Sequence, residues 1–265
     1  MDHVPPGQPK ARARPPRAKS LPPGPKSLPP GERVYAIGDV HGRADLVEEM
    51  QHLIAAHASL SPKRSVIVVW LGDYVDRGPS SRQVVDLLIR SAARQPRSIF
   101  LMGNHEDALL RFLLDPRAGP QWCSFGGLET LASYGVAADD LPVGDFYGEA
   151  RAAFLAVLPP RHVEFLLSLQ LSASIGDFFF CHAGVRPGVR LDAQDPQDLI
   201  WIRDEFLHWR HDFGMRIVHG HTPVGEPELR SNRVNVDTGA YATGRLTCAV
   251  IEGSDIAFLS TGPGK

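Results

Sequence analysis

The sequence predicts an α/β fold whose active site lies at the carboxyl ends of its strands. One observation is that short apolar runs rich in β-branched residues, such as residues 66–71, alternate with segments of helical periodicity, such as residues 45–57. A second is that these runs lack polar alternation, which is typical of strands buried on both faces. A third is that five runs pass directly into a glycine-containing loop that carries Asp, Asn or His.

The composition is that of a single folded domain. With 265 residues, of which 43% are hydrophobic, the chain can bury one full-sized core. The net charge of -2 argues against a nucleic-acid partner, and no apolar run approaches the roughly 20 residues that span a bilayer. Three widely spaced cysteines do not suggest a disulfide framework, so a reducing, cytoplasmic location is expected.

Residues 1–31 differ in composition from the rest of the chain. They alternate prolines with lysines and arginines and offer almost nothing for a core, so we expect a disordered tail with local polyproline character. Such a tail is either a solvated segment or a docking arm for an unidentified acidic or proline-reading protein. The catalytic domain is then expected to cover residues 32–265.

The first half of this domain repeats a strand, a polar loop and a helix. Strands are predicted at residues 34–37, 66–71 and 98–102, and helices at residues 45–57, 80–93 and 108–114. Residues 118–170 are predicted to form further helices, and a segment that covers the substrate could lie among them.

The second half returns to strands. Residues 172–175 and 178–181 flank Gly176 and Asp177, which favour a hairpin turn. Another strand is expected at residues 215–218. Three final runs separated by glycines, at residues 234–236, 246–251 and 256–259, predict a closing β meander.

The loops that follow five of these strands hold the candidate site residues. These are Asp39 and His41, then Asp73, Asp76 and Arg77, then Asn104 and His105, then His182, and finally His219 and His221. Strands that share a sheet can bring their ends to one rim, so residues from distant positions can meet in one pocket. Singly, each loop could be an ordinary turn, Asn104 a helix cap and His182 a core histidine. Their repetition in one context favours a shared site.

The chemistry of these side chains favours a catalytic metal centre. Carboxylate, imidazole and amide ligands without cysteine suit Mn, Fe or Zn at an open site. The supply exceeds what one ion needs, and a two-metal centre with a shared Asp, its ions about 3.5–4 Å apart, accounts for the excess. Such a pair generates hydroxide from water and clamps phosphoryl oxygens, and the guanidinium of Arg77 can hold a phosphate by two parallel hydrogen bonds.

The spacing of Cys181 and Arg186 disfavours a cysteine-dependent phosphatase. The loop of those enzymes resembles this stretch, but residues 182–185 leave one residue too few between the two side chains. Cys181 is therefore expected to be a buried strand-end residue with an inert thiol.

Three of the loops resemble the signature motifs of the phosphoprotein phosphatase family of metallophosphoesterases. These loops read GDVHG at residues 38–42, GDYVDRG at residues 72–78 and GNHE at residues 103–106. HAG at residues 182–184 and GHT at residues 220–222 resemble its later histidine motifs. The resemblance covers roughly residues 33–260 and is greatest to compact bacterial and phage members. It implies two packed mixed β-sheets flanked by helices.

The resemblance also implies a metal-ligand set. Asp39 and His41 would bind the first metal, and Asp73 would bridge both metals. The second metal would be completed by Asn104, His182 and His221.

The remaining roles that the resemblance implies concern the substrate. Arg77 resembles the family's phosphate-binding arginine, and Arg203 is similar to its second one. Asn104 would also contact the phosphate. His105 would be the general acid that protonates the leaving group, oriented by Asp76. His219 receives no role.

The function implied is hydrolysis of a phosphomonoester by metal-bound hydroxide without a covalent intermediate. The expected substrate is phosphoserine or phosphothreonine on proteins, and the expected cofactor is a divalent pair, with Mn²⁺ favoured and Fe or Zn as alternatives. Symmetrical diadenosine tetraphosphatases carry the same core motifs, so hydrolysis of a dinucleoside polyphosphate is the alternative. A third reading is a catalytically silent scaffold that binds a partner through its tail, which the intact ligand set disfavours.

Overall fold

Two five-stranded sheets make up the centre of the computed structural model, which describes residues 25–62, 64–95, 97–137 and 146–262. In chain order the strands are β1 (Glu32–Ile37), β2 (Ser65–Trp70), β3 (Ser98–Phe100), β4 (Ser172–Ile175), β5 (Phe178–Cys181), β6 (Arg216–His219), β7 (Glu228–Leu229), β8 (Arg233–Asn235), β9 (Thr247–Glu252) and β10 (Asp255–Ser260).

The helices of the described residues fall mostly in the first two thirds of the chain. They are α1 (Ala44–Ser59), α2 (Ser81–Arg94), α3 (Asn104–Leu114), α4 (Gly119–Trp122), α5 (Leu128–Ser133), α6 (Phe146–Val157), α7 (Pro160–Leu167), α8 (Pro196–Trp201), α9 (Asp204–Leu207) and α10 (Ala240–Thr243). The expected helical character of residues 118–170 is confirmed for the part of that stretch that the structure describes.

Both sheets are mixed, as expected. The first has the order β10-β9-β1-β2-β3, in which β1, β2 and β3 run parallel and β9 and β10 run antiparallel to their neighbours. The second has the order β4-β5-β6-β8-β7, with β5, β6 and β8 parallel and the two edge strands antiparallel. The parallel strands of each sheet give it a common carboxyl edge.

The predicted closing meander is wrong. β8 belongs to the second sheet, whereas β9 and β10 belong to the first. The short helix α10 lies between β8 and β9, flanked by Gly239 at φ 66° and Gly244 at φ 72°. The glycines therefore carry a crossover from one sheet to the other, which a pattern of glycines and strands cannot distinguish from hairpin turns.

Burial explains why the central strands lack polar alternation. Along β1, Tyr35 and Ile37 belong to the core under the helices, whereas Val34 and Ala36 belong to the core between the sheets. Both faces of the strand are buried from residue 34 to residue 37, and all four positions are apolar. The outer face of the second sheet packs in the same way, with Phe179 and Ile217 in a third core beneath α8 and α9.

The start of α3 differs from the prediction. The helix begins at Asn104, so Asn104 and His105 lie in its first turn and not in a loop before it. The carboxylate of Glu106 accepts a hydrogen bond from the backbone N–H of Gly103 at 3.0 Å, which stabilises this helix start.

Residues 25–31 contact the domain although their composition assigns them to the tail. Leu28 is 3% exposed and lies in the core between the sheets. Its N–H donates to the carbonyl oxygen of Gly253 at 2.9 Å, and the N–H of Asp177 donates to the carbonyl oxygen of Ser27 at 3.0 Å. The rest of the predicted tail, residues 1–24, lies outside the described residues. Within the described part of the chain, no helix is long and apolar enough to cross a membrane.

Candidate metal centre

The predicted site residues converge because the carboxyl ends of both sheets lie side by side. The N–H of Val40, after β1, donates to the carbonyl oxygen of Asp73, after β2, at 3.0 Å. In the second sheet the N–H of Gly220, after β6, donates to the carbonyl oxygen of His182, after β5, at 2.8 Å. The N–H of His221, after β6, donates to the carboxylate of Asp39, after β1, at 3.1 Å, so the rim is built from two sheets and not from the single sheet that the strand pattern predicted.

The backbone of these loops adopts unusual conformations. Among the described residues, the non-glycine residues with positive φ lie between 47° and 71°, and all of them are predicted site residues: His41, Asp73, Asp76, Arg77 and His221. Left-handed φ is unfavourable for residues with a Cβ atom, and such strain is concentrated at functional sites. The surrounding packing therefore holds these side chains in positions that the backbone alone would not choose.

The carboxylate of Asp73 lies at the centre of the cluster. Its Oδ2 atom is 3.3 Å from Nε2 of His182, 3.5 Å from Nε2 of His41 and 3.8 Å from Nε2 of His105. Burial alone would raise the pKa of Asp73, but the imidazoles of His182 and His105 hold it well below its usual range. The carboxylate therefore stays ionised, as a bridging ligand must.

Two groups of potential metal ligands share this aspartate. One consists of His41, Asp73 and His105, and the other of Asp73, His182 and His221, with the donor atoms of each group within 4.8 Å of one another. The Oδ1 atom of Asn104 lies 3.0 Å from Nε2 of His182 and adds an amide oxygen to the second group. Nε2 of His221 is buried, and no described residue offers it a hydrogen bond. This donor set fits a pair of divalent cations with Asp73 shared between them.

The far nitrogens of two imidazoles orient them towards the centre. Nδ1 of His41 lies 3.1 Å from the carbonyl oxygen of Val75, and Nδ1 of His182 lies 2.9 Å from that of Leu71. A backbone carbonyl can accept only from a protonated nitrogen, so Nδ1 of each ring carries a proton, and Nε2 is the atom that can bind a metal once the ring is neutral. The main chain thus fixes the tautomer that a metal ligand requires.

The buried carboxylates of the centre need a compensating positive charge. Burial lowers the pKa of His41 to about 3, and burial together with His182 lowers that of His221 to about 2, so both rings stay neutral. Burial would also lower the pKa of His182, but Asp73 and Asp39 outweigh it and raise the pKa to about 10. A proton on His182 compensates the carboxylates, and a bound cation would do the same.

Asp39 occupies a somewhat different position from the other predicted ligands. It belongs to neither donor group, and its carboxylate oxygens accept the N–H of His221 at 3.1 and 3.2 Å. Burial and the nearby Asp237 raise the pKa of Asp39 well above its usual range. Sequence reasoning missed Asp237, although it follows β8 in the same arrangement of strand and polar loop. Burial raises the pKa of Asp237 to about 6, and its Oδ1 atom accepts the N–H of Gly239 at 2.9 Å.

The predicted pair of His105 and Asp76 is formed. Nδ1 of His105 lies 2.8 Å from Oδ2 of Asp76, and Nε2 lies 3.2 Å from Nη2 of Arg77. Burial would lower the pKa of His105, but the carboxylates of Asp73 and Asp76 raise it. Nε2 of His105 therefore faces the guanidinium of Arg77, which is predicted to bind the phosphate. A general acid is needed at that position.

Asp76 is itself held by residues that the sequence did not single out. Its Oδ1 atom accepts from Oγ1 of Thr130 at 2.7 Å and from Nε1 of Trp122 at 3.1 Å. Both donors come from the helical stretch after α3, far along the chain from Asp76 itself. Only the folded structure brings this stretch onto the back of the His105–Asp76 pair.

Glu106 was also missed as a site residue. Its buried carboxylate accepts the N–H groups of Asp73 at 2.9 Å, Tyr74 at 2.7 Å and Val75 at 3.2 Å, besides that of Gly103. Burial raises its pKa to about 7. The close approach also requires a glycine at position 103, because a Cβ atom there would overlap Oδ1 of Asp73. Glu106 thus fixes the backbone that presents the shared aspartate.

Two predicted residues lie at the edge of the cluster or behind it. Arg203 is exposed, and after burial and His182 its charge also lowers the pKa of His221. His219 lies behind the centre, edge-on to Phe206 at a ring distance of 4.8 Å, with Nδ1 3.0 Å from the carbonyl oxygen of Gly220. His219 is a core residue, consistent with its omission from the predicted ligands.

The chain matches known proteins over most of its length. The family model for the calcineurin-like phosphoesterases matches residues 32–249. A bis(5'-nucleosyl)-tetraphosphatase PrpE of Anoxybacillus flavithermus, named as asymmetrical, is 29% identical over 231 residues, which cover 80% of this chain and 87% of that protein.

Two solved structures share the fold at low sequence identity. A structure described as a candidate diadenosine tetraphosphatase has a TM-score of 0.61 and 21% identity, covering 88% of this chain and 96% of that one. A Saccharomyces cerevisiae protein serine/threonine phosphatase similar to human phosphatase PP5 has a TM-score of 0.54 and 17% identity, covering 89% and 81%. The family match, the two packed mixed sheets and the histidine–aspartate centre agree, and the chain belongs to the calcineurin-like phosphoesterase family.

Proposed function

We propose that this metallophosphoesterase hydrolyses dinucleoside polyphosphates. Metal-dependent hydrolysis is supported by the position of Asp73, which belongs to both groups of potential metal ligands. The relative named as a bis(5'-nucleosyl)-tetraphosphatase matches this chain over most of both lengths, which supports the substrate class.

Aromatic side chains on different sides of the centre also support a substrate with two bases. The ring of Tyr241 lies 5.3 Å from that of His41 and 4.8 Å from the guanidinium carbon of Arg77. Beside the other donor group, the ring of Trp201 lies 6.0 Å from that of His221. A polyphosphate chain across the metal centre would place a base near each of these aromatic surfaces.

The residues of the chain divide the work of hydrolysis. His41, Asp73, Asn104, His182 and His221, with Asp39 beside them, would hold two divalent ions, for which Mn²⁺ is the expected species. When bound, the ions activate water as the nucleophile and neutralise charge on the phosphoryl group.

The groups around the metal ligands act on the substrate. Arg77 and Arg203 bind phosphoryl oxygens, and Asn104 contacts the same phosphate. His105 delivers a proton from Nε2 to the leaving oxygen, while Asp76 holds Nδ1 and so fixes the ring.

A second candidate is the dephosphorylation of phosphoserine or phosphothreonine on proteins. The observation that favours it is the buried His105–Asp76 pair. The alkoxide that leaves phosphoserine is far more basic than the phosphate group that leaves a dinucleoside polyphosphate. A strong general acid is therefore most useful for the protein substrate.

The two candidates are separated by parallel assays of the Mn²⁺-loaded protein. Diadenosine tetraphosphate and a phosphoserine peptide are supplied at equal concentrations, and the products are resolved by chromatography. We expect nucleotide products: either ATP with AMP, from asymmetrical cleavage, or two ADP, from symmetrical cleavage. Rapid phosphate release from the peptide with an intact tetraphosphate would instead establish the second candidate.

A further inference from the structure

A cleft opens beside the general acid. Its volume is about 280 Å³, close to the lower limit of roughly 300 Å³ for small-molecule sites. Phe125 and Trp201 form the wall nearest the metal centre, and Gln121 and Gln197 lie along its rim. Both aromatic rings are partly exposed, so they present apolar surface to a ligand.

The aromatic wall connects this cleft to the reacting groups. The ring centroid of Phe125 is 5.8 Å from that of His105 and 5.6 Å from that of Trp201, which in turn contacts His221. In an in-line displacement, the leaving oxygen lies on the side of the general acid. The group that leaves therefore extends past His105 towards Phe125 and the cleft.

The lining indicates a flat, uncharged ring. Arg111 and Asp107 both line the cleft, but they pair with each other at 2.8 Å, so their charges are balanced before any ligand arrives. The side-chain amides of Gln121 and Gln197 make no hydrogen bond to other described residues, and each offers both a donor and an acceptor. Nucleobases are recognised by this combination of aromatic stacking and polar groups at the ring edge.

We infer that this cleft binds the nucleobase of the leaving nucleotide, with Trp201 and Phe125 as the stacking surface and Gln121 and Gln197 at the base edge. The inference rests on the proposed function, since a phosphoserine peptide has no base to place there. The cleft would give the metal centre a site for specificity. It would distinguish the two ends of a dinucleoside polyphosphate, which are chemically similar.

Adenosine, which carries no phosphate, is the probe that tests the cleft without requiring tetraphosphate turnover. Its inhibition of aryl phosphate hydrolysis is measured in the wild-type protein and in two variants. Trp201→Leu removes the stacking ring, and Trp209→Leu removes a partly buried tryptophan that does not line the cleft. We expect millimolar adenosine to inhibit the wild-type protein and Trp209→Leu equally, and Trp201→Leu roughly tenfold more weakly.

Because Trp201 contacts His221, Trp201→Leu alone does not separate loss of the cleft from damage to the metal centre. Gln197→Ala is the second variant that makes this separation. Gln197 is exposed and lies one helical turn before Trp201 on α8, and we expect this variant to weaken inhibition by adenosine about threefold. Adenosine that does not inhibit, or that inhibits all variants equally, would overturn the inference. The inference would also be overturned if Trp201→Leu changed the KM for a phosphoserine peptide and left inhibition by adenosine unchanged.

The inference and the proposed function fail in different ways. If the tetraphosphate is cleaved but adenosine does not inhibit, the function stands and the base site is wrong. If adenosine inhibits through Trp201 but the tetraphosphate is not cleaved, the base site stands and the proposed substrate is wrong.

Discussion

Nδ1 of His105 and Oδ2 of Asp76 lie 2.8 Å apart in a pair with almost no exposure to solvent. The carboxylate fixes the ring and favours its protonated form, which prepares Nε2 to donate a proton. A hydrolase needs this proton in proportion to the basicity of its leaving group.

Replacement of His105 should therefore have a substrate-dependent effect. We expect His105→Ala to lower kcat for an alkyl phosphate such as a phosphoserine peptide by roughly 10²–10⁴-fold, and that for an aryl phosphate by far less. Asp76→Asn should show the same order with smaller losses. Steady-state assays on both substrates test this, and equal losses on the two would contradict the assignment of the general acid.

Replacement of Arg77 or Arg203, which are proposed to bind phosphate, should act mainly on substrate binding. We expect Arg203→Ala and Arg77→Ala each to raise KM about tenfold or more, since a charge-assisted hydrogen bond contributes about 1.5–3 kcal/mol. Arg190→Ala is the matched control, because Arg190 is exposed and pairs with Asp192 at the surface. An unchanged KM in Arg203→Ala would show that Arg203 does not bind the substrate, and Arg77 would then be the single phosphate-binding arginine of the two.

Glu106 should be essential for stability, because its carboxylate accepts four backbone N–H groups. Glu106→Ala leaves the N–H groups of Asp73, Tyr74, Val75 and Gly103 without their acceptor, and each buried unsatisfied group costs about 1–3 kcal/mol. We expect the free energy of unfolding to fall by at least about 3 kcal/mol in denaturant titrations. Asp107→Ala, which breaks only a surface pair with Arg111, should cost less than about 1 kcal/mol. A small effect of Glu106→Ala would mean that the loop of residues 73–75 keeps its conformation without the carboxylate of Glu106.

The N-terminal segment should matter for stability and not for turnover. Removing residues 1–24 or residues 1–30 is expected to leave turnover of a small aryl phosphate unchanged while the domain stays folded, because no signature loop lies there. Leu28→Ala should lower the free energy of unfolding by about 2–4 kcal/mol, since Leu28 lies in the core between the sheets. A loss of turnover in folded protein after either truncation would place the segment near the site.

The sequence predicted the strands better than their arrangement. β1 and β2 were recognisable because both of their faces are buried, which leaves uninterrupted apolar runs. The same property hides the partner of a strand, since a run buried on both faces fits equally well into either sheet. β8 and β9 were therefore assigned to one meander although they belong to different sheets. β7 has two residues, too few to show any period.

Residues that act through their own side chains at strand ends were also predictable. His41 and Asp73 meet as expected because they follow neighbouring parallel strands of one sheet, and His182 joins them from the end of β5 in the other sheet. Glu106 escaped notice because it acts by accepting backbone N–H groups, which leave no pattern in the sequence. Trp122 and Thr130 escaped notice because they reach Asp76 only through the packing of a distant helical stretch.

The metal content of Asp73→Asn tests most directly whether Asp73 joins two metal sites. The wild-type protein and the variant are loaded with Mn²⁺ and desalted, and the metal bound per chain is measured by mass spectrometry beside aryl phosphate turnover. We predict close to two ions in the wild-type protein, and at most one ion with turnover reduced by several orders of magnitude in a variant that remains folded. Two retained ions with normal turnover would contradict the shared-aspartate centre and the mechanism built on it.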